Sequence, residues 1–106
     1  MLLVITNMPD VVSAKLLAHR LIEQRVAACV NLLAPCTSVY RWQEQIDTAT
    51  EIPVLIKTTQ AAYAQIETLI RATHPYELPE IIAVPVSAVA PEYLRWVTAE
   101  TQSYKE

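Results

Sequence analysis

Not one of the 106 residues is glycine, although average usage of about 7% would supply roughly seven. Glycine is the residue that lets backbone turn left-handed or approach a ligand without a Cβ in the way. Its absence removes phosphate-cradling loops, dinucleotide fingerprints and the glycine-flanked serine of the nucleophile elbow. Left-handed turn positions must then fall to other residues. Asn7, Asp10, Asn31 and Asp47 are the expected hosts, because short polar side chains tolerate that region best.

The length suits one domain over residues 1–106, large enough to bury a core without metal or disulfide support. Hydrophobic residues make up 53% and charged residues 18%, so the chain is more apolar than an average soluble domain. Part of its apolar surface is expected to be covered by another copy. The net charge of −3 and eight scattered basic residues offer no footprint for a phosphate backbone, so nucleic acid is not an expected partner. Met1 to Ile5 is too short an apolar run for a signal peptide or a membrane span, so no membrane association and a cytoplasmic location are expected. Cys29 and Cys36 lie seven positions apart on one extended stretch. That spacing predicts opposite faces, some ~20 Å or more apart, and reduced thiols that do not bridge.

Met1 to Thr6 reads as a buried strand ending in turn chemistry at Asn7 to Asp10. A helix follows, with Ala14, Leu17, Ala18, Leu21 and Ile22 on its inner face. Val26 to Trp42 is extended but interrupted at Pro35, either as two strands or as one long strand bent at a bulge. Gln43-Glu44-Gln45 forms a polar tip, and Ile46 to Thr59 returns, completing a long hairpin whose edges need cover. A second helix spans Gln60 to Thr73 with Tyr63, Ile66, Leu69, Ile70 and Thr73 inward. Ile81 to Val86 is a strand in which Pro85 rules out a full central ladder, and Pro91 to Gln102 forms a short last helix. The order β-α-β-β-α-β predicts an α+β, ferredoxin-like sandwich with a long β-hairpin and a short C-terminal helix. That fold hosts many activities and constrains function little.

The chemistry concentrates in His74-Pro75-Tyr76-Glu77-Leu78-Pro79-Glu80, where two prolines stiffen a loop bearing an imidazole, a phenol and carboxylates. Ser38, Tyr40 and Trp42 share one face of the hairpin, and Lys57 lies on its return among Val54, Leu55 and Ile56. Glu80 is the natural partner for the Lys57 ammonium, either as a structural ion pair or as part of an anion-recognising or metal-sensing cleft. No Cys-x-x-Cys or His-x-x-x-His spacing is present, so metal ligands must converge from distant segments. His74 with Glu77 or Glu80, or Cys29 and Cys36 from neighbouring chains, are the sets able to take copper or zinc. No base stands beside either thiol, and nothing supports catalysis. Trp42, Trp96 and the tyrosines are expected to anchor an oligomer contact.

Nearly end to end, the chain resembles the CutA family of divalent-cation tolerance proteins. The resemblance rests on Ala27-Ala28-Cys29-Val30-Asn31-Leu32, Thr37-Ser38-Val39-Tyr40 with Trp42, Ile56-Lys57-Thr58, His74-Pro75-Tyr76 with Pro79-Glu80, and Tyr93-Leu94 with Trp96. It implies a homotrimer like that of the PII signalling proteins, with long hairpins completing sheets between neighbours. It also implies a non-enzymatic role in tolerance of copper or another divalent cation. Carried over by position, Cys29, His74 and Glu80 are candidate metal contacts, and Trp42, Lys57 and Tyr76 line an inter-subunit cleft. A small anionic metabolite in that cleft, or a structural trimer with no ligand, is the alternative. Two positions depart from the family: Glu44 stands where relatives usually carry glycine, and Thr6 where some carry cysteine.

Overall fold

In the computed structural model, which describes residues 1–101, strand β1 (Leu2–Met8) runs through the centre of a five-stranded antiparallel sheet. It pairs with β4 (Gln45–Thr58) on one side and with β5 (Ile82–Pro85) on the other. β2 (Cys29–Leu32) lies on the far side of β4, giving the order β2-β4-β1-β5, and β3 (Cys36–Trp42) pairs with the outer half of β4. Pro35 therefore separates two strands that share one partner. Helices α1 (Val11–Glu23) and α2 (Tyr63–Thr73) pack on one face, and α3 (Pro91–Glu100) closes the described chain. The expected end of that last helix at Gln102 lies outside the described residues. The expected β-α-β-β-α-β order is observed with β2 and β3 as the two halves of the stretch that Pro35 divides, followed by α3. No helix among the described residues is long and apolar enough to cross a membrane.

Strand periodicity decides where the core sits. Leu2, Val4, Thr6 and Met8 alternate with half-buried residues, and their register partners Thr58, Ile56, Val54 and Ile52 are buried beside them. This face meets Ala14, Leu17 and Leu21 of α1 and Ile66, Leu69 and Ile70 of α2. Ile22, expected inward, is 42% exposed because α1 is already closing there. The opposite sheet face carries Leu3, Ile5, Leu55 and Lys57, all half-buried, with Ile82 and Val84 exposed at the edge. Among the described residues, α1 and α2 leave this face uncovered. β3 and the outer half of β4 form an arm, and the chain measures 45 × 28 × 22 Å with a radius of gyration of 14.4 Å. A compact chain of this length would give about 13 Å.

Among the described residues the left-handed positions are Arg25 (φ 59°), Gln43 (φ 51°) and Glu44 (φ 68°), which corrects the expectation of Asn7, Asp10, Asn31 and Asp47. Asn7, Asn31 and Asp47 lie within strands, and Asp10 caps α1 by accepting the Ser13 N–H at 2.7 Å. Gln43 and Glu44 are the two central residues of the hairpin turn, since Trp42 pairs with Gln45. Positive φ at both is the type I′ pattern that matches strand twist. Arg25 terminates α1: its N–H bonds Ile22 O at 3.0 Å and the Val26 N–H bonds Leu21 O at 3.2 Å. That is a Schellman closure with arginine in the usual glycine place.

Candidate functional site

The loop between α2 and β5 is organised by His74, which is only 8% exposed. Its Nδ1 accepts the Tyr76 backbone N–H at 3.1 Å, and its Nε2 lies 2.6 Å from the Asn7 carbonyl. A backbone N–H must donate and a carbonyl must accept, so the ring is the neutral tautomer with its proton on Nε2. Both nitrogens are thereby engaged with backbone. Asn7 also donates from Nδ2 to Glu80 Oε1 at 3.0 Å, so one residue at the end of β1 holds both ends of the loop.

Glu80 therefore meets Asn7, not Lys57, and no ion pair between Lys57 and a carboxylate occurs among the described residues. The register explains this outcome. Lys57 sits opposite Leu3 and Cys29, whereas Asn7 sits opposite Pro53, four residues further along β4. Cys29 lies two strands across and four residues along from Asn7, on the order of 15 Å away. Its thiol points to Asn31 Oδ1 at 3.9 Å. Of the candidate metal contacts, His74 and Glu80 come together through Asn7 and Cys29 stays apart. No group of three or more His, Cys, Asp or Glu side chains able to hold a metal exists among the described residues. Within this chain the described residues therefore do not by themselves fit a resident metal ion.

Cys29 and Cys36 are both unbridged. They register opposite Lys57 and Glu51, which lie on the same pleat side of β4, so the expectation of opposite faces does not hold. The break at Leu33–Pro35 resets the alternation that a continuous strand would have kept.

Of the three candidate cleft residues, Lys57 stands apart from the other two. Trp42 and Tyr76 line a cleft of about 300 Å³ together with Tyr40, Glu77 and Leu78. Lys57 lies six residues along β4 from the Glu51 beneath this cleft, roughly 20 Å away. Glu51 is the residue sequence reasoning missed. It is only 7% exposed, yet its Oε1 accepts the Ser38 hydroxyl at 2.6 Å. The Tyr76 phenol comes near enough to the same carboxylate to feel its charge and its pull as a hydrogen-bond acceptor. Burial first, and then the acceptor and the negative charge that Glu51 presents, push the Tyr76 phenol above its ordinary value, with Tyr40 and Asp10 adding to the shift. The available signal was its place on the pleat shared with Leu55 and Lys57 beside apolar Ile52; the loop that buries it comes from far along the chain.

Residues 2–100, from β1 to the end of α3, match the family described as CutA1 divalent ion tolerance protein. The divalent-cation tolerance protein CutA of Thermus thermophilus is 39% identical over 98 residues, covering 92% of this chain and 95% of that protein. Protein CutA of Mus musculus is 40% identical over 95 residues, which is 90% of this chain but 54% of the mouse protein. The crystal structure of CutA from Xylella fastidiosa superimposes with a TM-score of 0.92 at 44% identity, covering 95% of this chain and 97% of that one. The periplasmic divalent cation tolerance protein CutA of Archaeoglobus fulgidus gives 0.93 at 31% identity, covering 96% and 100%. Sequence agreement over nearly every described element, with backbones that superimpose this closely, makes this chain a member of the CutA1 divalent ion tolerance family.

Proposed function

We propose that this single-domain protein serves divalent-cation tolerance as a cytoplasmic, non-enzymatic homotrimer in which copper or another divalent cation is met between subunits. The observation that carries this is the sheet face opposite the helices. Leu3, Ile5 and Leu55 on it are half-buried, and Ile82 and Val84 are 48% and 43% exposed. Apolar surface of that kind favours cover by another copy, and the hairpin arm supplies strand edges for such pairing. Cys29 and Lys57 lie on the same face.

Cys29, His74 and Glu80 remain the proposed metal contacts, drawn from different subunits because one chain keeps Cys29 apart from the other two. Glu80 uses one carboxylate oxygen for Asn7 and keeps Oε2 for an ion, whereas His74 would have to release Asn7 or Tyr76. The deciding experiment is light scattering with bound-metal analysis after copper-supplemented purification. A trimer with stoichiometric metal that Cys29→Ser and Glu80→Gln each deplete supports the reading. A monomer, or metal retained by both variants, refutes it.

Lys57 favours a second reading. Half-buried and without a carboxylate partner among the described residues, it suits a small anionic metabolite in a PII-like signalling trimer, with Trp42 and Tyr76 lining the cleft from a neighbour. A true ligand at one hundred times its Kd would stabilise the protein by about 2.7 kcal/mol in a thermal-shift screen.

A further inference from the structure

Helices α1 and α2 leave a groove between them on the helix side of the molecule, opposite the sheet face assigned to a neighbouring copy. A cavity of about 480 Å³ and a second of about 260 Å³ lie along it, and Arg20, Ala72 and Thr73 line both. On α1 the lining runs from Ser13 to the C-cap Gln24, about 16 Å at the helical rise per residue. Its walls are aliphatic. Leu17 and Leu69 are buried at its base, Leu16 is 60% exposed, and the exposed Ala64 and Ala72 keep it open because they end at Cβ. The Thr68 and Thr73 hydroxyls bond the Ala64 and Leu69 carbonyls at 3.0 and 2.9 Å, so neither requires a further partner. No aromatic ring lines either cavity, and Arg20 is the one charged residue in their lining. It makes no ion pair among the described residues, although Glu23 lies three positions on, whereas Arg71 of α2 is paired with Glu67 at 2.9 Å. A cation in the last turn of α1 suits the helix dipole, but that role needs no aliphatic groove beside it.

We propose that this groove binds a free fatty carboxylate, with its alkyl chain laid between α1 and α2 and its head group held by Arg20. A guanidinium matches a carboxylate in a bidentate, charge-assisted pair. In a chain of net charge −3, a groove whose single charge is positive selects an anion and disfavours an alkylammonium. The aliphatic, elongated lining suits an unbranched chain, since there is no ring on which a planar guest could stack. The larger cavity falls within the range of about 300–1,000 Å³ usual for small-molecule sites. A metal ion finds no acidic, thiol or imidazole ligand in this lining. Because the groove lies on the helix side, the inference stands independently of how copies cover the opposite face and of any metal held between subunits.

The test is a methyl-detected NMR titration of the full assembled protein with sodium decanoate below its micelle concentration, against decyltrimethylammonium bromide and sodium chloride of equal ionic strength. The Leu16, Leu69, Ala64 and Ala72 methyl signals are followed. Saturable shifts at these residues with decanoate are expected, while the Ile82 and Val84 methyls of the opposite sheet face stay put. Arg20→Gln should weaken binding about three-fold, within the range of an exposed ion pair. Ala72→Glu, followed at Leu16 and Ala64, narrows the groove and sets a carboxylate in the same lining as Arg20, and should weaken binding about ten-fold. Both positions are exposed on helices, so the variants should keep the fold, which unchanged backbone spectra would verify. Shifts no larger than those in sodium chloride would overturn the proposal. So would equal shifts with decyltrimethylammonium, undiminished binding in either variant, or movement of these methyls by phosphatidylglycerol vesicles and not by decanoate.

Discussion

Thr6 and Thr58 are both fully buried on the helix-facing side of the sheet, and the same substitution at each should have opposite effects. Thr58 donates its hydroxyl to the Val26 carbonyl at 2.6 Å, fastening β4 to the segment that leads into β2. The Thr6 hydroxyl has no hydrogen-bond partner among the described residues. A buried donor left without a partner costs about 1–3 kcal/mol, while a made bond contributes about 1 kcal/mol net. Valine replaces the hydroxyl with a methyl of nearly the same shape. Thr6→Val should therefore stabilise the protein by about 1 kcal/mol, and Thr58→Val, which strands the Val26 carbonyl, should destabilise it by about 1–3 kcal/mol. The gap between the variants is then at least ~2 kcal/mol. Guanidinium unfolding at one fixed protomer concentration measures it, with unchanged slopes confirming that only stability moved. If Thr6→Val were no more stable than the wild type, the Thr6 hydroxyl would be paired in solution and the reasoning would fail.

Glu44→Gly removes a left-handed penalty of about 1 kcal/mol at the arm's turn and should raise the unfolding midpoint accordingly; a lower midpoint would contradict the type I′ assignment. Asp10→Ala should destabilise the protein by uncapping α1, and its effect should depend on pH. The Ser13 bonds hold the Asp10 carboxyl below its ordinary value of 3.8, so its contribution is present above that value and fades as pH falls through the lower folded value; wild type and variant should converge in acid-unfolding curves. Tyr76 titrates above 10.0 in the folded protein, so its contribution is complete below that pH and is lost as pH rises through the higher folded value. In spectrophotometric titration, Glu51→Gln should bring the Tyr76 transition part of the way back toward the ordinary value, the burial effect persisting; an unmoved transition would disconnect Tyr76 from Glu51.

The elements legible in the sequence were those whose pattern is local. Val54, Ile56 and Thr58 alternate in the sequence and are buried as that alternation demands. Ile66, Leu69 and Ile70 mark the inner face of α2 in the same way. The hairpin's ends were legible as well, but not its conformation, because Gln43 and Glu44 carry no preference for positive φ. What failed depended on register. The pairing of Lys57 with Glu80 was chemically sound, yet four residues of sheet separate Lys57 from the Asn7 that takes that carboxylate. The burial of Glu51 likewise follows from the distant Tyr76 folding back onto β4. His74 stood out in the sequence, but the engagement of both its nitrogens with backbone could be seen only in three dimensions.

The central position of β1 bears on how this protein is made. Leu2 to Met8 are synthesised before both of their partners: β1's first neighbour ends at Thr58 and its second at Pro85. At about 5–20 residues per second, an apolar strand with two open edges waits seconds before either partner exists. Slow production on the ribosome should thus expose β1 to chaperones or aggregation, while α1, whose backbone hydrogen bonds are local, can form early. A circular permutant opened at the hairpin tip, with residues 1 and 106 joined through a linker, would make β4 and β5 before β1 and remove that wait.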